Sequence, residues 1–315
     1  MNIDILKRRI KKTKNMYLMV ILVLLVSYIA SKSSNFFSIE NITQLVIQMT
    51  ELCIITIGMS ICILSGGFDL SMGSLVGLGT ICISLMLVAE LSLPFIMIIT
   101  LIILLFFGFL NGIIIGYFKI NPLLTTLGTS TLIMGVSLIF SKGTAISGLP
   151  EYFSNIAYLR FFGIPSQAFI LIVVILSSKV LLEETRWGRH LHLIGNNKEA
   201  ARYCGIDVSR NLVYVYLFTA LMSFIVSFIL TSRISTGRAD IGSSLVLQSI
   251  SASILGGVDV NGGSGNIIGA VLGVLIFAII SNGFNLLGYS KYLEQFLFGA
   301  LLIITIAIRS KVVKS

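Results

Sequence analysis

Apolar runs of bilayer-crossing length make up most of this chain. Its mean hydropathy is +1.01 and 11% of its 315 residues are charged, whereas a soluble domain carries roughly 25% charged residues. A membrane-crossing helix needs about 20 largely apolar residues, so the pattern predicts an all-α polytopic membrane protein with about ten transmembrane helices. The predicted spans are residues 16–30, 42–64, 70–89, 94–118, 122–141, 167–182, 211–231, 244–258, 266–285 and 292–308.

The positions of the basic residues indicate the topology, because Lys and Arg accumulate in cytoplasmic loops. Ten spans with both termini inside place 16 of the 22 basic residues in cytoplasmic segments. The net charge of +9 then reflects topology and contact with the lipid bilayer, and gives no reason to expect nucleic acid as a partner. The predicted parts are a basic cytoplasmic tail (1–15), helices one to six (16–182), a cytoplasmic loop (183–210), helices seven to ten (211–308) and a second cytoplasmic tail (309–315).

Patterns typical of enzymes are missing from the sequence. There is no G-x-x-x-x-G-K-[ST] loop that would hold a nucleotide phosphate. The four cysteines have no metal-ligand spacing and no evident disulfide pairing, and are interpreted as packing residues. The sequence therefore predicts no enzyme and no catalytic, cofactor-binding or metal-binding residues in this chain.

The polar loop 183–210 contains a short predicted helix. Asn197 is suited to the N-cap, good helix formers follow from Lys198 to Cys204, and Gly205 supplies the left-handed residue that ends a helix. The small side chains of Ala200 and Ala201 would allow a partner protein to approach closely. The alternative is an ordinary amphipathic connector at the membrane surface.

Two glycine-rich turns resemble each other and predict a degenerate internal repeat, as is common in transporters. Both turns are predicted on the cytoplasmic side. One interpretation is that their aspartates cap helix N-termini and hold the geometry of a gate or interface. The other is tight-turn chemistry alone. The paired positions are Gly66, Gly67 and Asp69 with Gly256, Gly257 and Asp259, and further along Asn111-Gly112 with Asn282-Gly283.

A few polar side chains fall inside predicted spans. Glu51 is the one deep carboxylate, and three interpretations of it stay open: a role in a pathway, a role in packing, or a broken helix with residues 36–48 at the interface. Four amides are candidates for the translocation pathway or, alternatively, for hydrogen bonds between helices. They are Asn111, Gln248, Asn282 and Asn285. Between two spans, residues 142–166 are long enough for a short interfacial helix.

Together these motifs resemble the permease subunits of ribose-type ATP-binding cassette importers, over residues 36–308. The likeness rests on the E-A-A-x-x-x-G pattern that starts at Glu199, on the run from Gly66 to Ser74, and on Asn282 to Gly288. It implies coupling to an ATPase through one set of residues. These are Asn197, Glu199, Ala200, Ala201, Arg202 and Gly205.

The resemblance also implies partners, location and a mechanism. The permease would pair with a second copy or a related permease, with two ATPase subunits that hold ATP and magnesium, and with an extracytoplasmic sugar-binding protein. It would translocate a ribose-like monosaccharide across the bacterial cytoplasmic membrane by alternating access. Members mostly carry pentoses and hexoses, with autoinducer 2 as a furanose-like variant. Phe68 and Met72 stand where small aliphatic residues are more usual, which argues against assuming ribose itself.

Two other functions are compatible with the sequence. A branched-chain amino acid permease of the same architecture would need a charged or helix-terminus site for its zwitterionic solute. A secondary transporter that works without an ATPase would need an acid–base relay in the membrane, for which Glu51 is the only deep carboxylate.

Overall fold

The computed structural model describes residues 19, 20 and 22–314. The predicted tail 1–15 and the first residues of the predicted span 16–30 lie outside this part. The described part is a helical bundle with one two-stranded hairpin. Its elements are α1 (Leu22–Lys32), a 3-10 turn (Ser34–Phe37), α2 (Ile39–Leu64), α3 (Met72–Val88), α4 (Leu93–Gly116), α5 (Pro122–Ser141), α6 (Glu151–Ile156), β1 (Arg160–Phe161), β2 (Ile164–Pro165), α7 (Ser166–Glu183), α8 (Arg186–Asn196), α9 (Lys198–Tyr203), α10 (Val208–Ile234), α11 (Ser243–Leu255), α12 (Ile267–Leu286) and α13 (Lys291–Lys314).

Helix α2 forms the centre of the bundle. Every residue from Thr50 to Leu64 is buried, because α7, α10, α11 and α12 all pack against it. A helix that is apolar on every side is stable only when it is enclosed in this way. Helix α10 packs on α2, α3 and α4 and links the centre to the periphery.

The outer helices α4, α5 and α7 turn large apolar side chains outward. Phe106 is 56% exposed, Ile139 76% and Val173 65%. Such faces are suited to lipid and not to water. Six described helices are long and apolar enough to cross a membrane, namely α2, α4, α5, α7, α10 and α12, which is consistent with the predicted all-α membrane fold.

Two predicted spans are shorter in the structure than the sequence suggested. The run 244–258 is a helix of 13 residues, α11, and 70–89 is a helix of 17 residues, α3. At 1.5 Å per residue α11 reaches only about 20 Å, less than the roughly 30 Å hydrocarbon core. The chain just before α11 is not helical but lies along α3, where the Thr80 hydroxyl donates to the Arg238 carbonyl at 3.0 Å. Ten full-length spans are therefore not confirmed.

The predicted short helix in residues 142–166 is α6, and the β1–β2 hairpin follows it. Phe153 of α6 is buried and meets Phe228 of α10 edge-on, with ring centroids 5.4 Å apart. The Ser232 hydroxyl donates to the Phe153 carbonyl at 2.7 Å. This loop therefore packs on the end of α10 that lies farthest from α8 and α9.

Candidate functional site

Helix α8 is an amphipathic helix that the sequence analysis did not predict. The Thr185 hydroxyl caps it by accepting the Gly188 N–H at 3.3 Å. Leu191 and Ile194 are fully buried and Trp187 is half-buried against the bundle. The apolar spacing of these three residues, i, i+4 and i+7, is the helical signal that would have found α8.

Helix α9 follows directly and has the predicted caps. The Asn197 side chain accepts the N–H groups of Glu199 at 2.9 Å and Ala200 at 3.0 Å. Gly205, just beyond the helix, has a φ of +77°, a left-handed conformation that favours glycine. Arg202 pairs with Glu199 at 2.7 Å across one turn. The two-turn helix predicted from Lys198 onward is therefore present, one residue shorter than expected.

The exposed face of α9 differs from the predicted one. Ala201 is 2% exposed and packs into the hydrophobic core, so it anchors α9 and cannot contact a partner. Ala200 is exposed, the Glu199 side chain is 69% exposed and Tyr203 is 90% exposed. The side chains that α9 offers to a partner are therefore those of Glu199, Ala200 and Tyr203, with Arg202 partly exposed beside Glu199.

Three segments of the chain meet in what we call the glycine junction. Gly66 follows α2, Gly195 lies in α8, and Gly262 and Gly263 lie in the turn between α11 and α12. The Gly263 N–H donates to the Leu64 carbonyl at 2.8 Å. A Cβ atom on Gly195 would overlap that carbonyl, and one on Gly262 would crowd the backbone of Gly66. The two turns predicted to lie on one side of the membrane thus touch each other.

His192 of α8 completes the contact between α8 and the glycine junction. Its Nδ1 lies 2.9 Å from the Gly263 carbonyl oxygen. Through Gly195 and His192, α8 rests on the end of α2 and on the turn between α11 and α12. Neither residue was predicted as a site residue, because the groups that each contacts lie in distant parts of the chain.

The other glycines of the two turns lie close to neighbouring backbone or bend the chain. Gly67 lies against Pro122, and Gly256 sits where a Cβ would overlap the Gly269 carbonyl. Gly257 has a φ of +105°. These positions fit close helix packing and turn geometry, and the gate role predicted for them stays a prediction.

The two aspartates of the repeated turns have different roles. Asp69 is fully buried, accepts the Ser71 N–H at 3.0 Å and accepts the Thr219 hydroxyl at 2.5 Å. It therefore ties the turn before α3 to α10. Among the residues that the structure describes, the Asp259 side chain accepts only the Asn261 N–H, within its own turn.

The expectation that these aspartates cap helix N-termini is therefore wrong for both. The N-cap of α3 is Ser71, and Asp69 accepts from that residue and from no N–H within the helix. The cap of α12 is Asn266, whose side chain accepts the Gly269 N–H at 2.6 Å. The turn from Asp259 to the helix is several residues longer than the corresponding turn at Asp69, which leaves the aspartate outside hydrogen-bonding range of α12. For Asp259 the tight-turn interpretation is correct.

Two of the four candidate pathway amides join helices. The Asn111 amide of α4 donates to the Ser71 hydroxyl at 2.9 Å. Asn282 of α12 and Asn41 of α2 exchange two hydrogen bonds, at 2.7 and 3.1 Å. Asn111 and Asn282 are both buried. They match the alternative interpretation, hydrogen bonds between helices.

The other two amides, Gln248 and Asn285, line a cavity of about 450 Å³. In its wall Glu51 accepts two hydrogen bonds from Arg233, at 2.6 and 2.9 Å. Helix α2 is continuous past Glu51, so the broken-helix interpretation is wrong. Arg233 was not predicted as a partner, although it stands next to the end of an apolar run, where a cation is a visible exception.

Comparisons with known proteins match this chain to the permease subunits of transport systems. The family of the branched-chain amino acid transport system permease component matches residues 41–306. The autoinducer 2 import system permease protein LsrD of Photorhabdus temperata is 34% identical over 263 residues, 82% of this chain and 79% of that protein. The protein of the same name from Salmonella typhimurium is 35% identical with the same coverage, and that from Escherichia coli O9:H4 is 34% identical over 82% and 80%. No solved structure matches the chain.

Proposed function

This chain belongs to the permease family of ATP-binding cassette importers that includes branched-chain amino acid and autoinducer 2 permeases, and from that premise we propose that it imports a small furanose-like sugar. The family membership confirms the resemblance to ribose-type permeases. The chain is a transport subunit and no enzyme, and it is a multi-pass protein of the bacterial cytoplasmic membrane.

The solute class is supported mainly by the relatives. Permeases named for autoinducer 2 import are 34–35% identical to this chain over 82% of its length. This favours a compact, hydroxyl-rich ring over a branched aliphatic amino acid. Ribose and autoinducer 2 are therefore the first solutes to test.

The proposed partners follow from the exposed face of α9. A helix of six residues is marginal alone in water, and here its Asn197 cap and buried Ala201 hold it in place with Glu199, Ala200 and Tyr203 facing outward. We expect this face to enter a cleft on an ATPase subunit that binds ATP and magnesium. Two such ATPases, a second permease and an extracytoplasmic binding protein would complete the importer.

Mechanically, α8 is the proposed link between the ATPases and the bundle. When the ATPase pair closes, α9 moves and α8 moves with it. Because α8 touches the glycine junction, the motion reaches α2 and the turn between α11 and α12. Rocking of these helices would exchange outward-open and inward-open states, as in other alternating-access transporters.

The test is ATPase activity and solute uptake by the reconstituted importer, with and without Glu199→Arg. The reversal places two arginines one turn apart on the docking face. We expect the importer to assemble as before. The stimulation of ATPase activity by the loaded binding protein should fall by roughly tenfold, which corresponds to about 1.4 kcal/mol. Glu183→Arg, at an exposed position nearby, is the matched control. Uptake that persists without any ATPase would instead indicate a secondary transporter.

A second function is favoured by one observation. The cavity carries a carboxylate and a guanidinium, the charged groups that a zwitterionic amino acid requires. The two groups bind each other, so an amino acid would have to break their ion pair to enter. Leucine in the same uptake assay decides between the solutes, since transport of leucine and not of either sugar would establish the amino acid permease.

A further inference from the structure

We propose that the cavity beside Glu51 and Arg233 is a binding site for a neutral, polyhydroxylated solute. The inference rests on the import function proposed above and assigns it a place in the chain. The cavity lies among α2, the end of α10, the start of α11, α12 and α13. Its volume of about 450 Å³ falls within the roughly 300–1,000 Å³ of small-molecule pockets.

The cavity lies at the end of the bundle opposite to α9. Helix α10 begins at Val208, just after α9, and reaches the cavity at Arg233. With 1.5 Å of rise per residue, the two ends of α10 are about 38 Å apart. With α9 on the cytoplasmic side, as the predicted topology places it, solute would meet this cavity on the side from which a binding protein delivers it.

Four amide side chains in the cavity wall, those of Gln48, Gln248, Asn285 and Gln295, have no hydrogen-bonding partner among the residues that the structure describes. An amide offers two donors and an acceptor that takes two hydrogen bonds. These groups therefore match hydroxyls, which both donate and accept.

The ion pair itself retains hydrogen-bonding capacity. Each oxygen of Glu51 accepts one N–H from Arg233, while a carboxylate has about four acceptor sites and a guanidinium has five N–H donors. The pair therefore still has about two acceptors and three donors. Because the Glu51 side chain is only 6% exposed, its geometry is fixed before solute arrives.

The charges of the wall favour a neutral solute. Its charged residues are two acids, Glu51 and Glu294, and two bases, Arg233 and Lys291. The lining therefore has no formal net charge with which to attract an ion. The buried rings of Phe277 and Phe298, with centroids 4.7 Å apart, supply an apolar surface for the carbon face of a sugar.

The experiment is protection of an introduced thiol in the assembled importer. Gln248→Cys is combined with Cys204→Ser, which removes the exposed native thiol, and the labelling rate with a membrane-impermeant maleimide is measured. D-ribose and autoinducer 2 are the probes, and leucine is the comparison. We expect either sugar to slow labelling, and leucine to have no effect.

Two substitutions one turn apart on α2 separate binding from structure. Gln48 lines the cavity, whereas Gln44 is exposed on the same helix and does not line it. Gln48→Leu removes a hydrogen bond between neutral groups and should weaken protection by roughly fivefold, which corresponds to about 1 kcal/mol. Gln44→Leu should leave protection unchanged.

The outcomes distinguish the site from the importer. Equal effects of Gln44→Leu and Gln48→Leu, absence of protection by both sugars, or protection by leucine alone would each overturn the proposal. Protection without uptake would contradict the import function and still support the site. Uptake of a sugar that gives no protection would contradict the site alone.

Discussion

Among single residues, Glu51 and Arg233 place opposite charges inside a helix bundle. The Glu51 side chain is 6% exposed and that of Arg233 26%. Such a pair stabilises little compared with an apolar pair, but the loss of one partner leaves a buried charge uncompensated, at a cost of about 3–5 kcal/mol. The effects on stability of substitutions at the two positions are therefore strongly coupled. A single substitution would overstate how much the ion pair contributes to stability.

We therefore expect Arg233→Gln to lower the unfolding midpoint far more than the double substitution Glu51→Gln with Arg233→Gln. The single variant should lose about 3–5 kcal/mol, and the double variant less because no unpaired charge remains. Thermal unfolding of the purified protein in detergent measures both. If the double variant lost as much stability as Glu51→Gln and Arg233→Gln lose together as single variants, the two residues would not be coupled.

Gly195 gives a second prediction for a single residue. Gly195→Ala inserts a methyl group into the glycine junction, where the Leu64 carbonyl leaves no space, and we expect overpacking to cost about 1–3 kcal/mol. Gly128→Ala is the matched control, because Gly128 is also helical and has open space around it. ATPase stimulation by loaded binding protein should fall in the first variant and persist in the second. Equal behaviour would contradict a role for the junction in coupling.

At the scale of elements, α9 depends on its cap. Asn197 satisfies two N–H groups of a six-residue helix, and replacing such a cap by alanine costs about 1 kcal/mol. We expect Asn197→Ala to weaken ATPase binding to the permease by roughly fivefold, measured by titration in nanodiscs. Asn155→Ala, on the exposed surface of α6, should have no effect. Unchanged affinity in both variants would contradict docking through α9.

The elements also show what the sequence can predict. The caps of α9 are local, so Asn197 and Gly205 indicated them without any tertiary information. Helix α11 was predicted too long because hydropathy cannot distinguish a helix from an apolar turn such as that at Val258. The point at which α11 ends is set by the packing of Gly256 against α12.

The site residues that could be predicted are those with a local signal in the sequence. Gln248 and Asn285 were predicted from their polarity and do line the cavity. Arg233 and His192 were missed, because the partner of each lies in a distant part of the chain. Hydropathy and spacing contain no information about which polar groups meet across a bundle.

For the whole molecule, the two ends of the bundle should face opposite sides of the membrane. Cys204 follows α9 and is exposed, and Phe162 of the β1–β2 hairpin is fully exposed. The predicted topology places them on the cytoplasmic and extracytoplasmic sides. The end with α9 and Cys204 would then face the ATPases, and the end with Phe162 would face the binding protein.

We expect an impermeant maleimide to label Phe162→Cys in intact cells, and Cys204 only in inverted vesicles. A Phe162→Cys variant that also carries Cys204→Ser isolates the first signal. Labelling of both thiols from the same side would contradict the topology, and with it the assignment of α9 to the ATPases.

The ion pair also has a consequence for biosynthesis. Glu51 precedes Arg233 by 182 residues, so at about 5–20 residues per second it is made roughly ten to forty seconds before its partner. A lone carboxylate at the middle of a membrane-crossing helix costs about 2.5–3.5 kcal/mol, and Glu51 lies at the middle of α2. We expect nascent α2 to stay crosslinked to the insertion machinery until residue 233 has emerged, and Glu51→Gln to release it earlier. Release at the same nascent length in both chains would show that α2 does not wait for Arg233.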